Sequence, residues 1–162
     1  MAIAIFCGSK SDKSTMQIAE EILNKFNINN KTYVISAHRL PDILSNTIKK
    51  IESTKGMELI IAGAGLSAHL PGIIASKTIL PVIGVPIHSH NGLLGGLDAL
   101  FSIVQMPKDV PVATVGINNA YNAALLAIHI LSIKYNEIKK LLLKFRMERR
   151  EKLVTEIEQY LL

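Results

Sequence analysis

Apolar runs of strand length alternate along this chain with segments whose apolar residues recur every three or four positions. Ala2–Cys7 is the first run, and Ser11–Phe26 follows it with Met16, Ala19, Ile22, Leu23 and Phe26 at helical spacing. Thr32–Ser36 predicts a second strand, and Pro41–Ser53 a helix opened by proline. Glu58–Ala62 predicts a third strand, with a helix over about Ala68–Lys77 behind it. Pro81–Val85 and Val110–Val115 predict strands four and five, and Ala120–Ile133 a long apolar helix. The runs are continuous in Ile, Val and Ala, as in strands covered on both faces. Repeated units of this kind predict an α/β, three-layer fold. Its central parallel sheet has about five strands, with helices on both faces and right-handed crossovers. No Gly/Ser-rich or Pro-rich linker and no repeat interrupts it, so residues 1–162 read as a single domain. Asn136–Leu162 predicts an extra amphipathic helix, with Ile138, Leu142, Phe145, Leu153, Ile157 and Leu161 near one stripe. It has no strand partner and is expected to pack on a neighbouring subunit.

Composition adds an expectation of self-association. Of 162 residues, 49% are hydrophobic, and the mean hydropathy of +0.30 is high for a chain surrounded only by water. The net charge of +5 raises nucleic acid as a partner, but its distribution argues against one. Much of the basic charge lies from Lys134 onward, mixed at helical spacing with Glu137, Glu148, Glu151, Glu156 and Glu158. That is the pattern of a solvated helix face. A single cysteine, Cys7, excludes an intramolecular disulfide and suits a reducing compartment. With no apolar run of the ~18 residues a membrane span needs and no leader-like N-terminus, the expected location is the cytoplasm, away from membranes.

Open parallel sheets bind ligands outside the carboxyl ends of their strands, and there this sequence is polar. The first strand runs into Gly8-Ser9-Lys10-Ser11-Asp12, the second into Ser36-Ala37-His38-Arg39, and the third into Gly63-Ala64-Gly65-Leu66-Ser67-Ala68-His69-Leu70. The first loop offers hydroxyls and free N–H groups at a helix start, which suit a phosphate. Asp12 would repel a phosphate and fits ribose hydroxyls better, with Arg39 supplying a planar cationic fork. A plain helix cap at Ser11 or Asp12 explains the same residues, and both readings stay open. The loop has neither a dinucleotide fingerprint nor a Walker sequence. Beside His38 and His69 the strand ends offer no third histidine, no cysteine pair and few carboxylates, short of the three or four ligands a metal needs. His88-Ser89-His90 alone is a weak metal signal, and Cys7 reads as a buried thiol. Ser9 and Ser36 lack the nucleophile elbow of acyl hydrolases.

Taken in order, "GSKSD", "SAHRLPD", "AGAGLSAHLPG", "GVP", "SIVQMP", "PVATV" and "NAALLA" resemble the class I 5-(carboxyamino)imidazole ribonucleotide mutases, over about Ile3 to Ile133. The chain departs from that pattern in a longer loop at His88–Gly96, a shorter connection at Gly116–Tyr121, and Lys108-Asp109. The resemblance implies a flavodoxin-like fold, a homo-octamer and a small ribonucleotide substrate of purine biosynthesis, with no cofactor or metal. It implies that a carboxyl group moves from an exocyclic nitrogen to ring carbon 4 by decarboxylation and recarboxylation. By the same resemblance His38 is the proton shuttle, and Ser9, Asp12 and Arg39 bind the nucleotide. Ser11, Ser36, Gly63, Ala64, Gly65, Ala68, His69 and Leu70 assist them. The main alternative is a flavodoxin-like module that binds a flavin or nucleotide without chemistry.

Overall fold

Five of the apolar runs pair side by side, all parallel, as one sheet in the order β2-β1-β3-β4-β5. In the computed structural model, which describes residues 1–160, the strands are β1 (Ala2–Cys7), β2 (Asn29–Val34), β3 (Met57–Gly65), β4 (Val82–Ile87) and β5 (Ala113–Thr114). The helices are α1 (Lys13–Lys25), α2 (Pro41–Glu52), α3 (Leu70–Ala75), α4 (Leu97–Val104), α5 (Ala120–Lys134) and α6 (Asn136–Tyr160). Leu161 and Leu162, the end of the predicted last helix, lie outside the described residues.

The chain divides into two compact units, Met1–Ala127 and a second beginning at Ile128. In the first, period-2 alternation sends Ala4 and Phe6 of β1 to one face of the sheet and Ile3, Ile5 and Cys7 to the other. Ala4 and Phe6 join a buried cluster with Leu44 and Ile48 of α2, Ile74 of α3 and Ile103 of α4. Helices cover both faces, so β1 and β4 are buried almost end to end. Burying one such Ile or Leu contributes about 1.5–3 kcal/mol. In the second unit, Ile138 and Leu142 of α6 are buried. Beyond them α6 is largely exposed and carries the ion pairs Lys144–Glu148 and Lys152–Glu156 at 3.7 and 3.9 Å.

Where boundaries moved, the cause is local. β2 begins three residues earlier than its apolar run, because an edge strand tolerates Asn29-Asn30-Lys31 on its open side. β3 runs on through Gly63-Ala64-Gly65, which pair with Val85, Pro86 and Ile87 of β4. β5 shrinks to two residues at the far edge, where Pro111 and Pro107 interrupt the chain. α4 was not predicted, although Ala99 and Ile103 at helical spacing are its buried face.

Strand order decides where the site lies. The chain leaves β1 toward β2, returns across it to β3, and then continues outward to β4 and β5. Connections from β1 and β3 therefore depart in opposite directions and leave a crevice between their carboxyl ends.

Candidate active site

A cavity of about 270 Å³ occupies that crevice, walled by the loops that follow β1, β2, β3 and β4. Its first wall is Gly8, Ser9, Ser11 and Asp12. Asp12 is buried, and one carboxylate oxygen accepts both the Ser9 N–H at 2.9 Å and the Ser9 hydroxyl at 2.8 Å. Ser9 Oγ also lies 2.6 Å from Ser11 Oγ. A hydroxyl has one hydrogen, so if Ser9 donates to Asp12, Ser11 must donate to Ser9. Asp12 thus folds back on the loop as a capping carboxylate while Ser11 stands on the cavity side. Cys7, directly before this loop, is inert: burial first, then the nearby Asp12 and Glu20 charges, push its thiol up to about 11.

The second wall is Ser36, Ala37 and His38. The chain turns sharply here, with the Leu40 N–H donating to the Ser36 carbonyl at 2.9 Å. Pro41 then starts α2, where its missing N–H costs nothing. Arg39 is exposed and outside the cavity wall. Its Nε–H donates to Ser36 Oγ at 3.2 Å, which tethers the guanidinium at the rim.

The third wall is Ala64, Gly65, Leu66, Ser67, His69 and Leu70. Gly63 and Ala68 are buried behind it. A side chain at Gly63 would come within 2.3 Å of Met16 Sδ and 2.9 Å of Ile87 Cδ1, so this glycine lets α1 approach the sheet. Leu66, with φ of 55°, turns the chain out of β3. The His69 N–H donates to the Ser67 carbonyl at 2.7 Å, and α3 starts at Leu70. This turn brings His69 to His38. The two imidazoles meet at Nε2 of His38 and Nδ1 of His69, 2.9 Å apart, with the rings perpendicular.

The fourth wall, Ser89 and Asn91, was missed in the sequence. Attention there went to His88 and His90, whose rings sit 6.3 Å apart and do not line the cavity. The available signal was position: the two residues belong to the loop that leaves β4, beside the switch point.

The sequence model of the family described as AIR carboxylase matches residues 2–152. The chain belongs to this family. It is 55% identical over 148 residues to the N5-carboxyaminoimidazole ribonucleotide mutase of Saccharolobus solfataricus, covering 91% of this chain and 92% of that protein. It is 49% identical to the Escherichia coli protein of the same name, over 89% of this chain and 85% of that one. Among solved structures, Treponema denticola PurE superposes with a TM-score of 0.89 at 26% identity, covering 98% of this chain and 97% of that one.

Proposed function

We propose that this chain is an isomerase of purine biosynthesis that converts 5-(carboxyamino)imidazole ribonucleotide to 5-amino-4-imidazolecarboxylate ribonucleotide, with His38 as its proton carrier. The observation that carries this reading is the His38–His69 contact at the switch-point crevice. In this reaction the carbamate releases carbon dioxide, and the exocyclic nitrogen takes a proton. Ring carbon 4 then attacks the carbon dioxide and must give up its own proton. The protonated pair holds three ring hydrogens: one on His38 Nδ1, one shared between the rings, and one on His69 Nε2. Donation from His38 Nδ1 leaves a neutral pair with that nitrogen bare, ready to accept the proton from carbon 4. One group serves both transfers, and the cycle closes without net proton change. His69 accepts the His38 Nε2–H, which fixes the tautomer and steadies the imidazolium.

Ser9, Ser11 and Arg39 hold the ribose phosphate in this reading, with Asp12 and Ser36 presenting the hydroxyls and the guanidinium. Ala64, Gly65 and Leu70 let the base lie against the chain, with Gly63 and Ala68 shaping that wall from behind. A module that binds a flavin or nucleotide without chemistry gives no account of the paired imidazoles.

We further infer a homo-octamer of single 1–162 domains acting in the cytoplasm, each domain packing its last helix (about 136–162) on a neighbour. Leu143, Met147, Leu153 and Ile157 of α6 are each about half exposed or more, which supports burial in an assembly. Among the described residues no helix is long and apolar enough to cross a membrane.

The test follows isomerisation with purified protein, with and without labelled bicarbonate. Conversion that retains the original carboxyl group supports a mutase. Conversion that depends on added bicarbonate indicates direct carboxylation instead.

A further inference from the structure

We propose that Asn91-Gly92 is a modification site: the Asn91 amide closes on the Gly92 nitrogen, and the resulting aspartate or isoaspartate impairs the cavity. The covalent step stands on the loop itself, and its effect on turnover rests on the isomerase reading above. Asparagine is thermally labile, most of all where the next backbone nitrogen reaches its side-chain carbonyl carbon. A glycine in the next position, with no Cβ, leaves the backbone freest to adopt that ring-closing geometry. Asn91-Gly92 is the one Asn-Gly pair in the chain.

This asparagine differs from four others in its freedom. It is exposed, and its side-chain amide makes no hydrogen bond among the described residues. Asn24 and Asn30 are bonded to each other, the Asn118 amide oxygen accepts the His88 N–H, and the Asn119 amide oxygen accepts the Asn122 N–H. Those bonds fix their amides, whereas the Asn91 amide can turn. Beyond it the loop tip is loosely packed. Leu93 is 98% exposed, and Gly95, with φ of 61°, has open space where a side chain would stand.

One bond opposes the reaction. The Gly92 N–H donates to the Ser89 carbonyl at 2.9 Å, which closes a four-residue turn. Gly92 is also closely packed: a Cβ there would lie 3.2 Å from the Ser89 carbonyl oxygen and 3.4 Å from Asp98 Oδ2. The nitrogen attacks only when this turn opens, so turn opening sets the rate. The Asn91 N–H reaches Ser89 Oγ at only 3.4 Å. With the tip exposed, the opening is local and leaves the sheet intact.

The Gly92 nitrogen then gives up its proton and bonds to Asn91 Cγ, and the amide nitrogen leaves as ammonia. Water opens the resulting cyclic imide at either carbonyl. One product is aspartate at position 91. The other is isoaspartate, which routes the main chain through the former side chain and lengthens it by one methylene. Both place a new carboxylate on the fourth wall of the cavity, where Asn91 stands. Among the described residues no lysine or arginine lines the cavity to neutralise it, so an anionic nucleotide is repelled.

The experiment incubates the full chain at pH 6.5 and at pH 8.5 and follows it by peptide mass mapping and by isomerisation rate. The peptide carrying Asn91 should gain about one dalton, faster at pH 8.5, with ammonia released in equal amount and activity lost in step. Gly92→Ala should slow both changes about tenfold, each measured against that variant's own starting rate. Freshly purified Asn91→Asp should have a KM about tenfold above the parent's. Mass gain at other asparagines while Asn91 stays intact would overturn the modification site. Conversion at Asn91 without loss of turnover, or parental kinetics in Asn91→Asp, would overturn its effect on the cavity. A parent with no turnover overturns the isomerase reading, and the mass map still decides the modification.

Discussion

His38 Nε2 and His69 Nδ1 approach to 2.9 Å although 31 positions separate them in the chain. Two turns at the carboxyl ends of different strands create the contact: the Ser36–Leu40 turn after β2 and the Ser67–His69 turn after β3. β2 and β3 are not neighbours, since β1 lies between them. The pair therefore bridges the crevice over the end of β1, where Ser9 and Asp12 stand. Because the rings are perpendicular with centroids 5.0 Å apart, the contact is nitrogen to nitrogen rather than stacked. In the proposed reaction His69 Nδ1 is the acceptor in this contact and holds His38.

His69→Ala should lower kcat roughly 10- to 100-fold with little change in substrate affinity, because the orienting bond is lost while the nucleotide contacts remain. His69→Asn should recover part of that loss, since its side-chain oxygen can accept the same hydrogen. A hydrogen bond to a charged group contributes about 1.5–3 kcal/mol, which sets the size of the effect. Steady-state kinetics of both variants checks it. Equal activity of the two would make His69 a packing residue.

Arg39→Lys should raise KM about tenfold or more and leave kcat nearly unchanged. The guanidinium spends its Nε–H on Ser36 and can still offer its two terminal nitrogens to a phosphate as a fork. Lysine keeps the charge but loses both the tether and the fork. An unchanged KM would place the phosphate elsewhere.

Much of this architecture was legible because core strands announce themselves. Ala2–Cys7 was read without error, since a strand buried on both faces is a continuous apolar run. Polar edge residues Asn29–Lys31 hid the start of β2, and Gly63-Ala64-Gly65 looked like a loop although it continues β3. Small residues are there because the sheet and α1 leave no space, and a sequence shows only their size. His38, Ser9 and Asp12 were legible as strand-end polar residues. The displacement of Gly63 and Ala68 behind the cavity wall was not, because neighbouring residues of β3 and of the loop after it face opposite ways. Asn91 was hidden by the histidines on either side of Ser89.

Cys7 should resist alkylation in the native protein and react readily once the chain unfolds. Burial, with Asp12 and Glu20 nearby, raises the thiol from 9.0 to about 11. The unfolded chain therefore releases its proton first as pH rises. Between about pH 9 and 11 that difference removes stability, and below 9.0 it has no effect. Labelling with iodoacetamide at pH 8.5, with and without urea, measures the protection. Fast labelling of folded protein would contradict the burial.

Ile157→Asp should shift the assembly toward smaller species. Ile157 is 58% exposed on α6, and a carboxylate at that point would be desolvated if a neighbouring subunit covers it. Sedimentation velocity at micromolar concentration compares the variant with the parent. A parent that sediments as a 17.7 kDa monomer would remove the octamer from consideration.

The most exacting prediction concerns His38 itself. His38→Asn should fold normally and bind the nucleotide within a fewfold of the parent, because His38 is an exposed side chain at a loop and the phosphate contacts proposed above are at other residues. Turnover should fall by 10²–10⁴-fold, the range for a general acid–base group, and toward its upper end because one residue serves two transfers. Asparagine keeps a polar group of similar reach toward His69 but cannot carry a proton. Affinity by calorimetry and isomerisation rate must be measured on the same preparation, so that a loss of binding is not mistaken for a loss of chemistry. A variant that binds normally and turns over within tenfold of the parent would transfer the shuttle to His69. Wash-in of solvent deuterium separates the two steps further: at residual turnover the variant should leave the ring hydrogen of decarboxylated nucleotide unexchanged.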